Sequence, residues 1–113
     1  MNIQALSELI EANVLTPNAN LSREIAGGYA CDLLSWVMAH GKEGMAWVTV
    51  QTHMNVIAVA TLHDMSCVII PENIKTEPDV IAKADEEGVA LLSTGLTTFE
   101  ICGRMRASGV QAQ

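Results

Sequence analysis

The reactive side chains of this 113-residue chain are few: His40, His53 and His63, Cys31, Cys67 and Cys102, and a scatter of hydroxyls. An unperturbed imidazole titrates near neutrality, so His53 could give or take a proton. Ser35, Thr52 and Thr94 are the hydroxyls it could activate, yet no sequence spacing sets any of them beside it, and such hydroxyls more commonly cap backbone groups. The histidines form no His-Glu-x-x-His face and the cysteines no Cys-x-x-Cys pair, so a structural zinc or a self-contained iron–sulfur site of standard type is not expected. Three widely spaced cysteines are read as core filling, with a metal site open to them only if the fold brings them together. Gly-x-x-x-x-Gly-Lys-Ser/Thr and Gly-x-Gly-x-x-Gly are both absent, which excludes a standard kinase or dinucleotide enzyme. No catalytic residue, metal or cofactor is assigned.

The side chains with most scope for recognition lie where strands end. Trp47-Val48-Thr49-Val50, Val68-Ile69-Ile70 and Val89-Ala90-Leu91-Leu92 are short apolar runs bounded by breakers, and each reads as a buried strand. The connections Gln51–Cys67 and Pro71–Gly88 are long enough for the helical crossovers that parallel strands require. Asn55–Leu62 is rich in β-branched residues, but a strand there would leave no crossover, so a helix is expected. Thr76-Glu77-Pro78-Asp79 is a capping-box helix start, with Thr76 as the cap and proline in the first turn and a stop at Gly88, and Thr97-Thr98-Phe99-Glu100 opens a last helix that Gly109 closes. Upstream, Ile3, Leu6, Leu9 and Ile10 form one stripe of an amphipathic helix that Asn13 ends. Val14-Leu15-Thr16 and Arg23–Ala26 read as brief extended stretches, and Gly27-Gly28 as a turn. Asp32 is placed as the N-cap of a helix over 33–39, with Gly41 as its left-handed stop. The sum is a single small α/β domain over residues 1–113, with a mainly parallel sheet, βαβ crossovers and helices packed around it.

Parallel sheets bind ligands outside the carboxyl ends of their strands. That rule selects the loops Gln51-Thr52-His53-Met54-Asn55, Pro71-Glu72-Asn73 and Ser93-Thr94-Gly95, which are polar, nearly uncharged and lack Lys and Arg. The candidate ligand-binding residues are Gln51, Thr52, His53 and Asn55, with Asp32, Ser35, Asn73 and Thr94 as neighbours. Such a rim suits a small neutral or weakly anionic group, or a partner's loop. The competing reading is that Asn55 caps a helix and Gln51, Thr52 and His53 satisfy backbone groups.

Half the residues are apolar and 17% are charged, enough to bury a core. Six Lys and Arg against thirteen Asp and Glu give a net charge of -7, which repels nucleic acid and anionic lipid surfaces alike. Met1-Asn2-Ile3-Gln4 lacks the basic start of a secretory signal, and no apolar run approaches bilayer length, so a cytoplasmic protein without a membrane partner is expected. A helix over Val56–Leu62 would be apolar nearly all round and needs cover on several sides. A second subunit is the expected cover, with Ala58 and Ala60 allowing close approach.

Gly27-Gly28-Tyr29, Asp32-Leu33-Leu34-Ser35 and the run Trp47 through Ala60 resemble stand-alone DRTGG-domain proteins, and Val68-Ile69-Ile70, Ala84–Gly88 and Leu92 through Glu100 fall where that family has strands and helices. The acidic-basic-glycine stretch that names the family does not occur; its expected place reads Gln51-Thr52-His53-Met54-Asn55. The resemblance implies a non-catalytic regulatory module, similar to parts of phosphotransacetylases and CBS-domain pyrophosphatases, that self-associates and binds a small ligand or a partner protein. It extends to the N-terminal domain of HPr kinase, but kinase chemistry needs the phosphate loop absent here. Similar small proteins accompany hydrogenase and iron–sulfur components, so an accessory role there is the alternative reading, and a small enzyme using His53 is a third.

Overall fold

In a computed structural model describing residues 1–113, ten elements alternate along the chain. They are α1 (Ile3–Leu9), β1 (Asn13–Val14), β2 (Gly27–Ala30), α2 (Leu34–His40), β3 (Met45–Val48), α3 (Met54–Leu62), β4 (Cys67–Ile70), α4 (Pro78–Glu86), β5 (Ala90–Ser93) and α5 (Thr98–Ala107). The sheet has the order β1-β5-β4-β3-β2; β2 to β5 run parallel and β1 pairs antiparallel with β5. Strands β3 and β4 are buried on both faces, which is why they read as unbroken apolar runs.

The two faces carry separate cores. Met45, Trp47, Val68, Ile70 and Leu91 pack under α2, α3 and α4, while Ala46, Val48, Cys67, Ile69, Ala90 and Leu92 pack under α1 and α5. The three crossovers all step in the same direction across the sheet, so they lay their helices on one face. The indole of buried Trp47 donates to the Cys31 carbonyl at 2.8 Å and pins the end of β2 to β3.

The expected crossover helices and the stops at Gly88 (φ 75°) and Gly109 (φ 96°) are present. Thr97 caps α5, its hydroxyl accepting from the Glu100 amide at 3.2 Å. Five local expectations are corrected. Gly27-Gly28 is not a turn but the first half of β2, and of Arg23–Ala26 only Glu24 makes a bridge, to Asn2. Asp32 does not cap α2, which starts at Leu34 after Leu33, because its carboxylate is taken by Thr49 and Val50. Gly41 is extended (φ -61°, ψ 150°) rather than left-handed; a Cβ there would come within 2.7 Å of His63 and Met65. Thr76 does not cap α4 either: Glu77 holds the cap position without a side-chain bond, and the buried Thr76 hydroxyl has no partner.

Helix α3 confirms the choice of crossover over strand propensity, but its cover is largely internal. Val56, Ile57, Val59 and Ala60 are buried within the chain, so Ala60 is closed to another backbone and only Ala58 and Leu62 remain as apolar exposed positions. No helix is long and apolar enough to cross a membrane.

Candidate functional site

The loop from β3 to α3 is built by side chains that stand in for missing backbone bonds. The Asp32 carboxylate accepts from the Thr49 hydroxyl and the Val50 amide, both at 2.9 Å. Buried Thr49 accepts in turn from the Gln51 amide at 3.1 Å, and the Gln51 side chain donates to the Asp32 carbonyl at 3.3 Å. Val50 is thereby drawn out of the strand, which ends at Val48 rather than at Val50 as the sequence suggested. His53 is the N-cap of α3, its Nδ1 accepting from the Asn55 amide at 3.1 Å. In that bond the Nδ1 lone pair does the work that a hydroxyl or carboxylate oxygen does at an ordinary cap.

Gln51, Thr52 and His53 line one side of an open depression of about 430 Å³, with Val50 and Met54; the other side is the first turn of α4, Glu77, Asp79 and Val80. Two helix starts therefore face one hollow at the carboxyl edge of the sheet. Most of their first amides are already spent, Asn55 on the His53 ring, Val56 on the His53 carbonyl and Val80 on Glu77 and Asp79, and Pro78 has no N–H. The first turn of α4 offers carboxylates, and no Lys or Arg lines the hollow. Asp79 spends one oxygen on the Val80 amide at 3.0 Å, and Glu77 makes no ion pair. The rim expected to be nearly uncharged is acidic. It suits a neutral or cationic group carrying its own hydrogen-bond donors.

The remaining candidates lie outside this hollow. Asp32 props the loop from behind, Ser35 is exposed on α2, and Asn55 gives its amide to the cap. Thr94 is buried, its hydroxyl donating to the Ile10 carbonyl at 2.7 Å and accepting from the Leu96 amide at 3.2 Å. The Asn73 amide donates to the Thr94 carbonyl, and its side chain lies against Gly95, where a Cβ would approach within 3.0 Å. These two residues tie together the loops beyond β4 and β5. Glu77 and Asp79 went unassigned because the loop after β4 runs on to residue 77. The helix-start signal at Thr76–Asp79 marked the place, since the helix that follows β4 must also begin at the carboxyl edge.

The cysteines do not converge. Cys31 packs on the core under α2–α4, while Cys67 and Cys102 belong to the α1–α5 side, and no three of His, Cys, Asp and Glu stand together in metal-holding geometry. Burial pushes the Cys67 thiol up to about 12 and raises Cys102 by a smaller desolvation. Neither is poised as a nucleophile.

Three successive parallel βαβ units with their helices on one face, closed at the ends by an N-terminal helix and a C-terminal helix on the other, define an α/β module. No protein-family model matches the sequence, and no curated protein matches it. Among solved structures it is similar to the CBS and DRTGG domains of the regulatory region of Clostridium perfringens pyrophosphatase, complexed with the activator diadenosine tetraphosphate: TM-score 0.71 and 11% identity, covering 92% of this chain and 45% of that one. The chain spans less than half of that structure, and at this identity the likeness establishes the fold. The DRTGG-like α/β architecture implied by the sequence resemblance is supported by it.

Proposed function

We propose that the protein is a non-catalytic, ligand-sensing regulatory module that recognises a small molecule or a partner's loop in the hollow between the starts of α3 and α4. The observation that carries this reading is the pairing of Gln51, Thr52 and His53 with Glu77 and Asp79 around one open depression. His53 has a structural task as a cap and no hydroxyl or thiol bonded to its ring, which fits recognition better than acid–base turnover. The similar pyrophosphatase region binds a polyphosphate, but an acidic rim without Lys or Arg disfavours that chemistry here. A neutral or cationic ligand is the better match. Self-association is part of the proposal, through the face that exposes Ala58 and Leu62.

Thermal-shift measurements with adenosine, agmatine and AMP as neutral, cationic and anionic probes test the site. Stabilisation by adenosine or agmatine that disappears in Gln51→Ala and Asp79→Asn, with the ligand-free melting temperature nearly unchanged, supports it. A ligand that stabilises wild type and both variants equally binds elsewhere and refutes this placement. Hydrolytic turnover by wild type that is lost in His53→Ala would show an enzyme instead.

A further inference from the structure

On the face of the sheet covered by α5, the register places Gly28 beside Ala46 and Ala30 beside Val48. β2 therefore ends both cross-strand rows with almost no side chain, at the edge over which α5 passes. The missing volume is an opening of about 210 Å³. Val48, Cys102, Met105 and Arg106 wall it, and residues 110–112 roof it, the Gln111 carbonyl accepting from the Gly28 amide at 2.9 Å. Its lining is mainly apolar.

The exceptions are Gln111 and the one charged residue, Arg106. Of the three lysines only Lys83 pairs with a carboxylate; of the three arginines, Arg23 holds one and Arg104 holds two, Glu11 and Glu100. Arg106 has none within ion-pair distance; its Nη1 donates only to the Gln111 side-chain oxygen. In a chain with a net charge of -7, this is a guanidinium left without an acid beside an apolar opening. Gln111, which holds it through the amide oxygen, keeps its own amide hydrogens for a further acceptor.

We infer that this opening binds a small monocarboxylate with a compact apolar body. A planar guanidinium pairs with a carboxylate through two parallel hydrogen bonds, and a single positive group without a second base matches one negative charge. The volume, below the roughly 300 Å³ at which drug-sized pockets begin, admits about ten non-hydrogen atoms. Val48, Met105 and Val110 contact the body, and Arg106 the carboxylate. This site lies on the opposite face from the hollow at α3 and α4, has the opposite charge, and does not depend on it.

Amide chemical shifts titrated with benzoate and with benzamide test the assignment. Benzoate is expected to move the amides of residues 102–111, with at least tenfold weaker binding in Arg106→Gln and in Ala30→Leu, which fills the opening. Benzamide, lacking the charge, should bind Arg106→Gln as it binds wild type, and His53→Ala should leave benzoate binding intact. The exposed Arg106 variant keeps the test decisive if Ala30→Leu does not fold. Benzoate that leaves residues 102–111 unmoved, binds Arg106→Gln as tightly as wild type, or shifts residues 50–54 instead overturns the inference.

Discussion

Replacing Asp32 by alanine removes an acceptor that holds the β3–α3 loop from the side. Two bonds of 2.9 Å are lost, from the Thr49 hydroxyl and the Val50 amide. Bonds to an ionised group contribute about 1.5–3 kcal/mol when buried, and the exposure of Asp32 discounts each to about 1 kcal/mol. The expected loss is about 2 kcal/mol, or about 8 °C in melting temperature for a chain of this size. Both donors reach the same Oδ1, so Asp32→Asn keeps an oxygen that can accept from both and loses only the charge that strengthens the two bonds; it should cost about half as much. Urea unfolding followed by circular dichroism reads both values, with an unchanged dependence on denaturant showing that the unfolded reference is the same. A stability of Asp32→Ala within about 0.3 kcal/mol of wild type would refute the role of the carboxylate as the prop of this loop.

Thr94→Val deletes a buried hydroxyl that serves the Ile10 carbonyl and the Leu96 amide. It should cost about 2 kcal/mol, most of it recovered by Thr94→Ser, as read by chemical denaturation; a neutral Thr94→Val would free this residue for a ligand role. Cys67 should resist Ellman's reagent in the native state at pH 8 while Cys31 reacts. Its buried thiol ionises near 12 while the unfolded thiol ionises near 9, so between those values the native state holds a proton the unfolded state has lost. Its contribution is intact below about pH 9 and falls by about 1.4 kcal/mol per pH unit above it. Denaturation of wild type and Cys67→Ala from pH 8 to 10.5 should show a steeper decline for wild type, and parallel declines would contradict the burial argument.

The parts of the fold legible in the sequence are those whose reason is local. β3, β4 and β5 show as apolar runs because both of their faces are covered, and α3 was recoverable against its strand propensity because parallel neighbours need a crossover. β2 was not legible: Gly-Gly-Tyr-Ala has no β-branched residue, and it is a strand because β3 pairs with it and because α5 and residues 110–113 approach where a side chain would obstruct them. Asp32 ahead of an apolar run looks like a helix cap in sequence; its true partners lie seventeen and eighteen residues away. In the candidate site the β3–α3 loop followed from topology. The carboxylates across from it depend on how far the β4–α4 connection reaches, and the opening beside β2 is formed by side chains that are missing.

Both ends of the chain are fastened to strands made long before or long after them. β1 lies on β5, the Leu91 amide donates to the Thr16 hydroxyl across 75 residues, and Thr94 reaches Ile10 across 84. The strand β5 is thus the seat of β1, and residues near 112 lie along β2, Ala112 forming a parallel bridge to Gly28. Closing so long a loop adds only slowly growing entropy, about 0.6 kcal/mol per doubling of length, but it cannot happen until β5 has left the ribosome. The three βαβ units pair strands that follow one another in the chain, whereas β1 has no strand to pair with until β5 is made. A chain cut short before Thr94 lacks α5, one of the two helices over its face of the sheet, and the hydroxyl that holds the Ile10 carbonyl.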